Sequence, residues 1–386
     1  MPTEVLTLEQ AISLALENNQ SIQIEQKRVA IAQEQESLGN AGLLPTINLI
    51  GEANYMNNNT DLAIRTFQRP PEPTSVDFDE SGVTSNTISG VIQADYTVFA
   101  GFSGRYRYKL LESQHRLAQY QQKVVINQTV QEVSTLFLEI VKLQRRKELL
   151  QETIAITKDR MARINDRKQF GKATGLDVLN AESNLNRDYT QLDEVMLAMD
   201  NLKQNLNFLI GYQPEHTYQV TVTYTVNNQR DAASIKADIL ANNPSLQLAR
   251  EGVSIADTEI KLARSRELPR LDVFANYGYF NQGNDLQQLA EITNVGYTVG
   301  GRLTLMLFNG NQSKSAIKVA QLSRENNELQ QRHLSDRLMT TAITEINRLE
   351  ILKRQLARET ANLKSFEEAF TRTEVRFKNG QATNLD

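Results

Sequence analysis

Two seven-residue segments carry the clearest local chemistry in the chain. Gly171-Lys172-Ala173-Thr174-Gly175-Leu176-Asp177 recurs as Gly380-Gln381-Ala382-Thr383-Asn384-Leu385-Asp386. In each, a glycine able to adopt a left-handed cap ends one helix. A threonine three residues ahead of a carboxylate then opens the next with a capping box. Arg167 and Lys168 precede the first glycine, and Arg376 and Lys378 the second, where cations complement the carbonyl end of a helix. A helical hairpin explains these residue types, and their presence at both sites in register predicts that both ends do the same job.

Elsewhere the residues that could do chemistry fall into no constellation. His115, His216 and His333 share no spacing with one another or with carboxylates. The absence of cysteine excludes disulfides, thiolate metal sites and a cysteine nucleophile. Gly101-Phe102-Ser103-Gly104 precedes a helix but lacks the lysine of a phosphate-binding loop. Gly101 and Gly310 read instead as strand-to-helix bends. No catalytic residue, metal ligand or cofactor site is predicted. A formal net charge of −4 gives no footprint for nucleic acid.

The elements that must position the two tips are long. Arg105 to Phe170 is 66 residues without glycine or proline, and a second such stretch runs from Asn311 to Asn379. As helices, each would span roughly 100 Å at ~1.5 Å per residue. Val133, Ile140, Ile154 and Met161 recur at one heptad position of the first, with Leu136, Leu143, Leu150 and Ile164 at the other. Ala342, Leu349, Leu356, Leu363 and Phe370, joined by Leu352 and Phe366, do so in the second. A sustained period of seven predicts packing against neighbouring helices.

The chain also repeats itself. Asn18-Asn19-Gln20-Ser21 returns as Asn242-Asn243-Pro244-Ser245, and Leu44-Pro45 as Leu268-Pro269, at an offset of 224. Phe99-Ala100-Gly101 matches Phe308-Asn309-Gly310, and the two tips match each other, at an offset of 209. The offset changes once, between the two strands of each half, as an insertion at a hairpin tip would produce. A duplicated plan of helix, helix, strand, strand, long helix and hairpin follows. The opening Thr7-Leu8-Glu9-Gln10 is a capping box, a second helix is expected to Ala41, and Asn57-Asn58-Asn59 with Pro70 to Pro73 reads as a loop.

Val295, Tyr297, Val299, Leu303 and Leu305 alternate with small or polar residues. That pattern fits a sheet packed on helices, and it equally fits strands facing lipid, whose length suits ~9–11 tilted residues. Four strands cannot close a barrel, and an open edge is not tolerated in lipid. Membrane strands would therefore require several chains to share one barrel, eight strands from two copies or twelve from three. No apolar run is long enough for a transmembrane helix. Met1 to Glu4 does not open a signal peptide; a full-length protein is expected to carry one, together with a helix returning from the second tip.

These pieces together resemble the TolC-like outer-membrane efflux protein family. The stretches that carry the resemblance are Leu6 to Asn19, Leu43 to Ile47, Leu268 to Leu271, Leu307 to Gly310, and the Gly-x-Ala-Thr-x-Leu-Asp motif at both tips. The resemblance implies a mainly α fold with β: a duplicated unit of long coiled-coil-like helical hairpins and transmembrane strand pairs. The first repeat would be 1–230, with barrel strands 47–56 and 88–99, long helix 103–170, return helix 175–210 and an equatorial strand 218–226. The second would be 231–386, with helices within 231–266, barrel strands 271–280 and 294–308, and long helix 312–378. Three copies would build a twelve-stranded barrel in the outer membrane of a Gram-negative cell and a helical tunnel through the periplasm. Such proteins are passive ducts for small molecules or proteins, partnered by a periplasmic adaptor and an inner-membrane pump of RND, ABC or MFS type. Gly171, Ala173, Thr174, Leu176, Asp177, Gly380, Ala382, Thr383, Leu385 and Asp386 would form the gate and adaptor contact. Asp386 corresponds to an entrance aspartate of some members, whereas Ala382 stands where others have arginine. A soluble coiled-coil scaffold is the competing expectation.

Overall fold

The computed structural model describes residues 5–66, 74–221, 231–285, 290–378 and Gln381. The described elements are mostly helical. In order they are β1 (Val5–Leu6), α1 (Leu8–Asn18), α2 (Gln20–Gln35), β2 (Thr46–Thr66), β3 (Thr74–Ala100), α3 (Ser103–Gln169), α4 (Gly175–Ile210), β4 (Gln219–Val220), α5 (Ala232–Asn242), α6 (Pro244–Ser265), β5 (Arg270–Asn284), β6 (Glu291–Thr304) and α7 (Gln312–Lys378). They fall into two compact units, one of residues 1–29, 118–250 and 328–386, the other of 30–117 and 251–327.

In the first unit, α1 starts with the expected box: Gln10 N–H donates to Thr7 Oγ1 at 3.3 Å and Thr7 N–H to Gln10 Oε1 at 2.9 Å. α1 and β1 pack with α3, α4 and β4 around Phe137, Ile140, Leu206, Ile210 and Tyr218, all essentially without solvent contact. Phe137, Ile140, Leu206 and Ile210 each contribute about 1.5–3 kcal/mol relative to exposure. Asn19, itself buried, closes the break between α1 and α2. Its Nδ2 donates to Leu209 O at 3.0 Å, and its Oδ1 accepts from the N–H groups of Ser21 and Ile22. Asn243 makes the same cap between α5 and α6, accepting from Ser245 and Leu246.

The other unit holds a four-stranded antiparallel sheet in the order β2-β3-β5-β6. The two hairpins share one register. Thr46 pairs with Asp95; advancing these numbers by 224 and 209 gives 270 and 304, and Arg270 pairs with Thr304. Ion pairs tie α6 to the long helices: Arg116 to Glu251 at 3.1 Å, and Arg324 to Asp257 at 2.5 Å.

Several expected boundaries move. The strand expected at 47–56 runs from Thr46 to Thr66, and that expected at 88–99 from Thr74 to Ala100. Asn57 to Asn59 therefore lie inside β2, where pairing with Thr84 and Val83 overrides their turn preference. Pro70 to Pro73 fall outside the described residues. The strands expected at 271–280 and 294–308 are Arg270–Asn284 and Glu291–Thr304, so Leu305 lies one residue beyond β6. α2 stops at Gln35, not Ala41. Asn40 Nδ2 caps the Gln35 carbonyl at 3.0 Å, and Ser37 Oγ accepts from Asn40 N–H, holding the chain in a turn. The strand expected at 218–226 is described only as Gln219–Val220, paired in parallel with Val5–Leu6; the rest lies outside the described residues. The helix expected at 103–170 ends at Gln169, while 175–210 and 312–378 match α4 and α7.

Candidate functional site

The pleat of the sheet sorts its side chains onto two faces. One carries Ile47, Leu49, Tyr55, Ile88, Ile92, Tyr96, Val273, Tyr277, Tyr279, Val295, Tyr297, Val299 and Leu303, each more than a third exposed, Tyr297 reaching 80%. Direct pairing places Leu49 opposite Ile92, Ile92 opposite Tyr277 and Tyr277 opposite Tyr297. An apolar band thus crosses all four strands. Leu305, past the end of β6, is also exposed. Bare apolar area on this scale marks a surface meant for something other than water.

The opposite face is polar at its helix-proximal end. Thr97 Oγ1 donates to Asp272 Oδ1 at 2.7 Å, and Arg270 Nε donates to Asp272 Oδ2 at 2.7 Å. Arg302 stands directly opposite Asp272, its guanidinium 5.9 Å from the centre of the Phe274 ring. That ring lies over Gly300, where a side chain would strike it. A concave space of about 790 Å³ opens here, with Asp95, Arg105, Arg107, Arg270, Asp272 and Arg302 among its lining. The sequence offered only the strand alternation as a sign of this cluster, because its members come from three strands and a helix.

Each strand pair passes into a long helix through two consecutive left-handed residues. These are Gly101 (φ 59°) with Phe102 (φ 65°), and Gly310 (φ 64°) with Asn311 (φ 65°). Phe102 adopts this disfavoured conformation beside Phe99, whose ring it meets edge-on at 5.2 Å. α3 and α7 then start at Ser103 and Gln312, positions 209 apart.

At the far end of α3, Lys172 N–H donates to Arg167 O at 2.8 Å and Gly171 N–H to Lys168 O at 3.0 Å, a Schellman closure. Thr174 and Asp177 then cap α4. Asp177 N–H donates to Thr174 Oγ1 at 3.2 Å, while the Asp177 carboxylate accepts from Thr174 N–H and Oγ1, each at 2.7 Å. The Thr174 backbone N–H, then its hydroxyl, hold this exposed carboxyl below the usual aspartate range, with Arg167 helping. Ala173 is half-buried, and Phe170, Leu176 and Leu179 project into solvent. At the second tip Gln381 N–H donates to Arg376 O at 2.8 Å, the counterpart of the Lys172 bond. Gly380, Ala382, Thr383, Leu385 and Asp386 lie outside the described residues.

Of the histidines, His115 Nδ1 lies 2.7 Å from Glu36 Oε2, a partner 79 positions away. His216 stacks edge-on with Tyr212, and His333 is exposed. Among the described residues no group of three metal-ligating side chains occurs, and no helix is long and apolar enough to cross a membrane.

With this geometry in place, comparison with known proteins decides the family. The profile of the outer membrane efflux protein family matches residues 11–212 and 237–386. The chain belongs to that family. Its relatives include the pyoverdine export outer membrane protein OpmQ of Pseudomonas putida, 22% identical over 98% of this chain and 78% of that one. Another is the alkaline protease secretion protein AprF of Pseudomonas aeruginosa, 24% identical over 92% of this chain and 70% of the relative. Among solved structures, the outer membrane protein VceC of Vibrio cholerae superposes with a TM-score of 0.77, covering 98% of this chain and 87% of that chain at 16% identity. The outer membrane channel CmeC of Campylobacter jejuni gives 0.75 over 98% and 78%, at 18% identity. The fold of this efflux-family chain is therefore that of the outer-membrane channels, and its place is the cell outer membrane.

Proposed function

We propose that this chain is one subunit of a homotrimeric outer-membrane exit duct serving efflux or type I secretion. The observation that carries the reading is the sheet: one face continuously apolar and bare, the other polar and concave, with both edges unpaired among the described residues. Lipid is the solvent that such an apolar face fits, and closure with other copies removes the edges. Three copies supply twelve strands. Val295, Tyr297, Val299, Leu303 and Leu305 are then lipid-facing, and Arg302 with its neighbours lines the lumen. The long helices extend the duct through the periplasm, and the repeated caps and registers support reading the chain as two halves of one plan.

The duct is passive. Among the described residues no group of side chains is arranged as a catalyst would need, and the reading is of a channel. Relatives named for pyoverdine export and for protease secretion bracket its cargo as small molecules or proteins. The exposed apolar residues around Thr174 suit contact with a periplasmic adaptor, which links the duct to an inner-membrane pump. Asp177 and Asp386 would set rings of three carboxylates at the entrance that attract cations and repel one another. A soluble coiled-coil scaffold leaves the apolar sheet face without a purpose.

Val299→Arg and Thr298→Arg test the reading on adjacent residues of opposite faces. The first should cost about 2–4 kcal/mol near the bilayer midplane and deplete the protein from outer membranes, and the second should be retained. Equal retention of both, measured by membrane fractionation, overturns the lipid-facing assignment.

A further inference from the structure

The sheet contains a seam of its own between the two hairpins, β3 against β5, and it leaves β2 and β6 as edges. Because both hairpins have the same register under the 224 and 209 offsets, that seam can be carried onto the free edges residue by residue. Ile92 pairs with Tyr277. Advancing the first by 209 and setting the second back by 224 brings Gly301 opposite Ala53. We propose that β6 of one copy pairs with β2 of the next in this register, so that the seam between subunits copies the seam within each. Tyr297 then meets Asn57, Val299 meets Tyr55, Arg302 meets Glu52 and Leu305 meets Leu49. The inference rests on the homotrimer reading above and specifies its interface.

Three observations that did not enter the arithmetic agree with it. The first is the pleat. Tyr55 and Leu49 come to the same apolar face as Val299 and Leu303, whereas a slip of one residue would turn one edge's apolar set onto the polar face. The second is charge. Glu52 is exposed, faces only Ser89 within its own chain and makes no ion pair among the described residues. The register sets it opposite Arg302, which then lies between two carboxylates, Glu52 and Asp272. A slip of two residues would replace Glu52 by Ile50 or Asn54. The third is the bend. In the intramolecular seam, Gly101 fits against the Ser265 carbonyl and Leu268, leaving no room for a side chain. The same offsets place the Ala41 to Leu44 segment of the next copy beside Gly310, which has open space in its own chain; Ala41 is already buried in its own chain, and the exposed Leu44 is the residue left to fill that space.

The chain has no cysteine, so an introduced pair is the sole source of disulfide. Directly opposite residues of antiparallel strands have Cα atoms about 4.5–5.5 Å apart, inside the roughly 4.4–6.8 Å that a disulfide spans. The double variant Tyr55→Cys/Val299→Cys, oxidised in outer-membrane vesicles, should run in boiled detergent gels as a covalent trimer that reduction returns to monomer. Asn57→Cys/Tyr297→Cys should do the same. Slipped pairs, Tyr55→Cys with Gly301→Cys or with Tyr297→Cys, should give at least about tenfold less. Trimers in mild detergent that cross-link better through a slipped pair, or through neither matched pair, overturn the register and leave the trimer standing. Sedimentation as a monomer in mild detergent overturns the trimer itself, and the register with it.

Discussion

The two strand-to-helix bends have the same backbone and different surroundings. Gly101 and Gly310 both have φ near +60°, both are followed by a second left-handed residue, and both launch a helix of 67 residues. Around Gly101 a side chain would overlap the Ser265 carbonyl and come within 2.8 Å of Leu268 Cβ; around Gly310 it would meet nothing. The long helices repeat the contrast. Ile140 of α3 is wholly buried against α1 and α4, while its counterpart Leu349 of α7 is 39% exposed. Leu356, Leu363, Phe366 and Phe370 continue that exposed stripe. The first half is packed within its own chain, and the second half presents equivalent surfaces that this chain does not cover. A shared backbone therefore does not mean a shared energy; the stabilisation of each half depends on what lies beside it.

The largest expected effect tests the bends. Gly101→Ala adds backbone strain of about 1–2 kcal/mol to overlap with a carbonyl that cannot rotate away, for a total of about 2–5 kcal/mol. Gly310→Ala in an isolated chain carries only the strain. Urea unfolding in detergent should separate the two by a factor of two or more. Equal losses under monomeric conditions would mean that the surroundings do not set the difference, whereas losses that converge only in the assembled protein would sharpen the comparison, since the next copy then supplies the missing neighbour.

Next comes the heptad stripe. Ile140→Ala removes three carbons from a filled core and should cost about 2–4 kcal/mol. Leu349→Ala, at a site already part-solvated, should cost about 1 kcal/mol or less in the same measurement. Thermal or urea midpoints read both. A Leu349 loss as large as that of Ile140 would show that α7 is packed as tightly as α3 in the working molecule.

How much of this was legible in the sequence depended on how local the cause was. The spans of α3 and α7 followed from the lack of glycine and proline, and ended within a residue or two of where those stretches ended. Thr7 with Gln10, and Thr174 with Asp177, announced their helices because a capping box needs only four consecutive residues. The alternation of β6 set its apolar face in the same way. What failed was set by distant partners. Asn57 to Asn59 looked like a loop until paired with β3, and β1, only two residues long, carries no periodic signal, whereas its partner β4 lies within the alternating stretch 218–226 where a strand is expected. Glu36 with His115 and Glu251 with Arg116 are contacts between elements, and spacing along the chain does not encode them. The Arg302 cluster was hidden for that reason too.

The smallest effect contrasts two caps. Thr7 with Gln10 and Thr174 with Asp177 make the same box, one closed by an amide and the other by a carboxylate. The Asp177 carboxyl has a pKa below its unfolded value, so the charged form is the one that α4 prefers. Its contribution is therefore complete above the unfolded aspartate value near ~3.9, and is lost as the pH falls through the folded value. The amide of Gln10 does not titrate. Hydrogen exchange, corrected for the intrinsic effect of pH, should show the first turn of α4 opening below about pH 4, while the first turn of α1 keeps its protection. Asp177→Asn should abolish that acid step and leave the neutral-pH protection largely intact, because the amide oxygen still accepts from Thr174. An acid step of equal size at both caps would mean that global loosening, and not the carboxylate, opens the tip. A step confined to α4 would make the turn between α3 and α4 pH-sensitive while the other boxed helix, α1, stays closed.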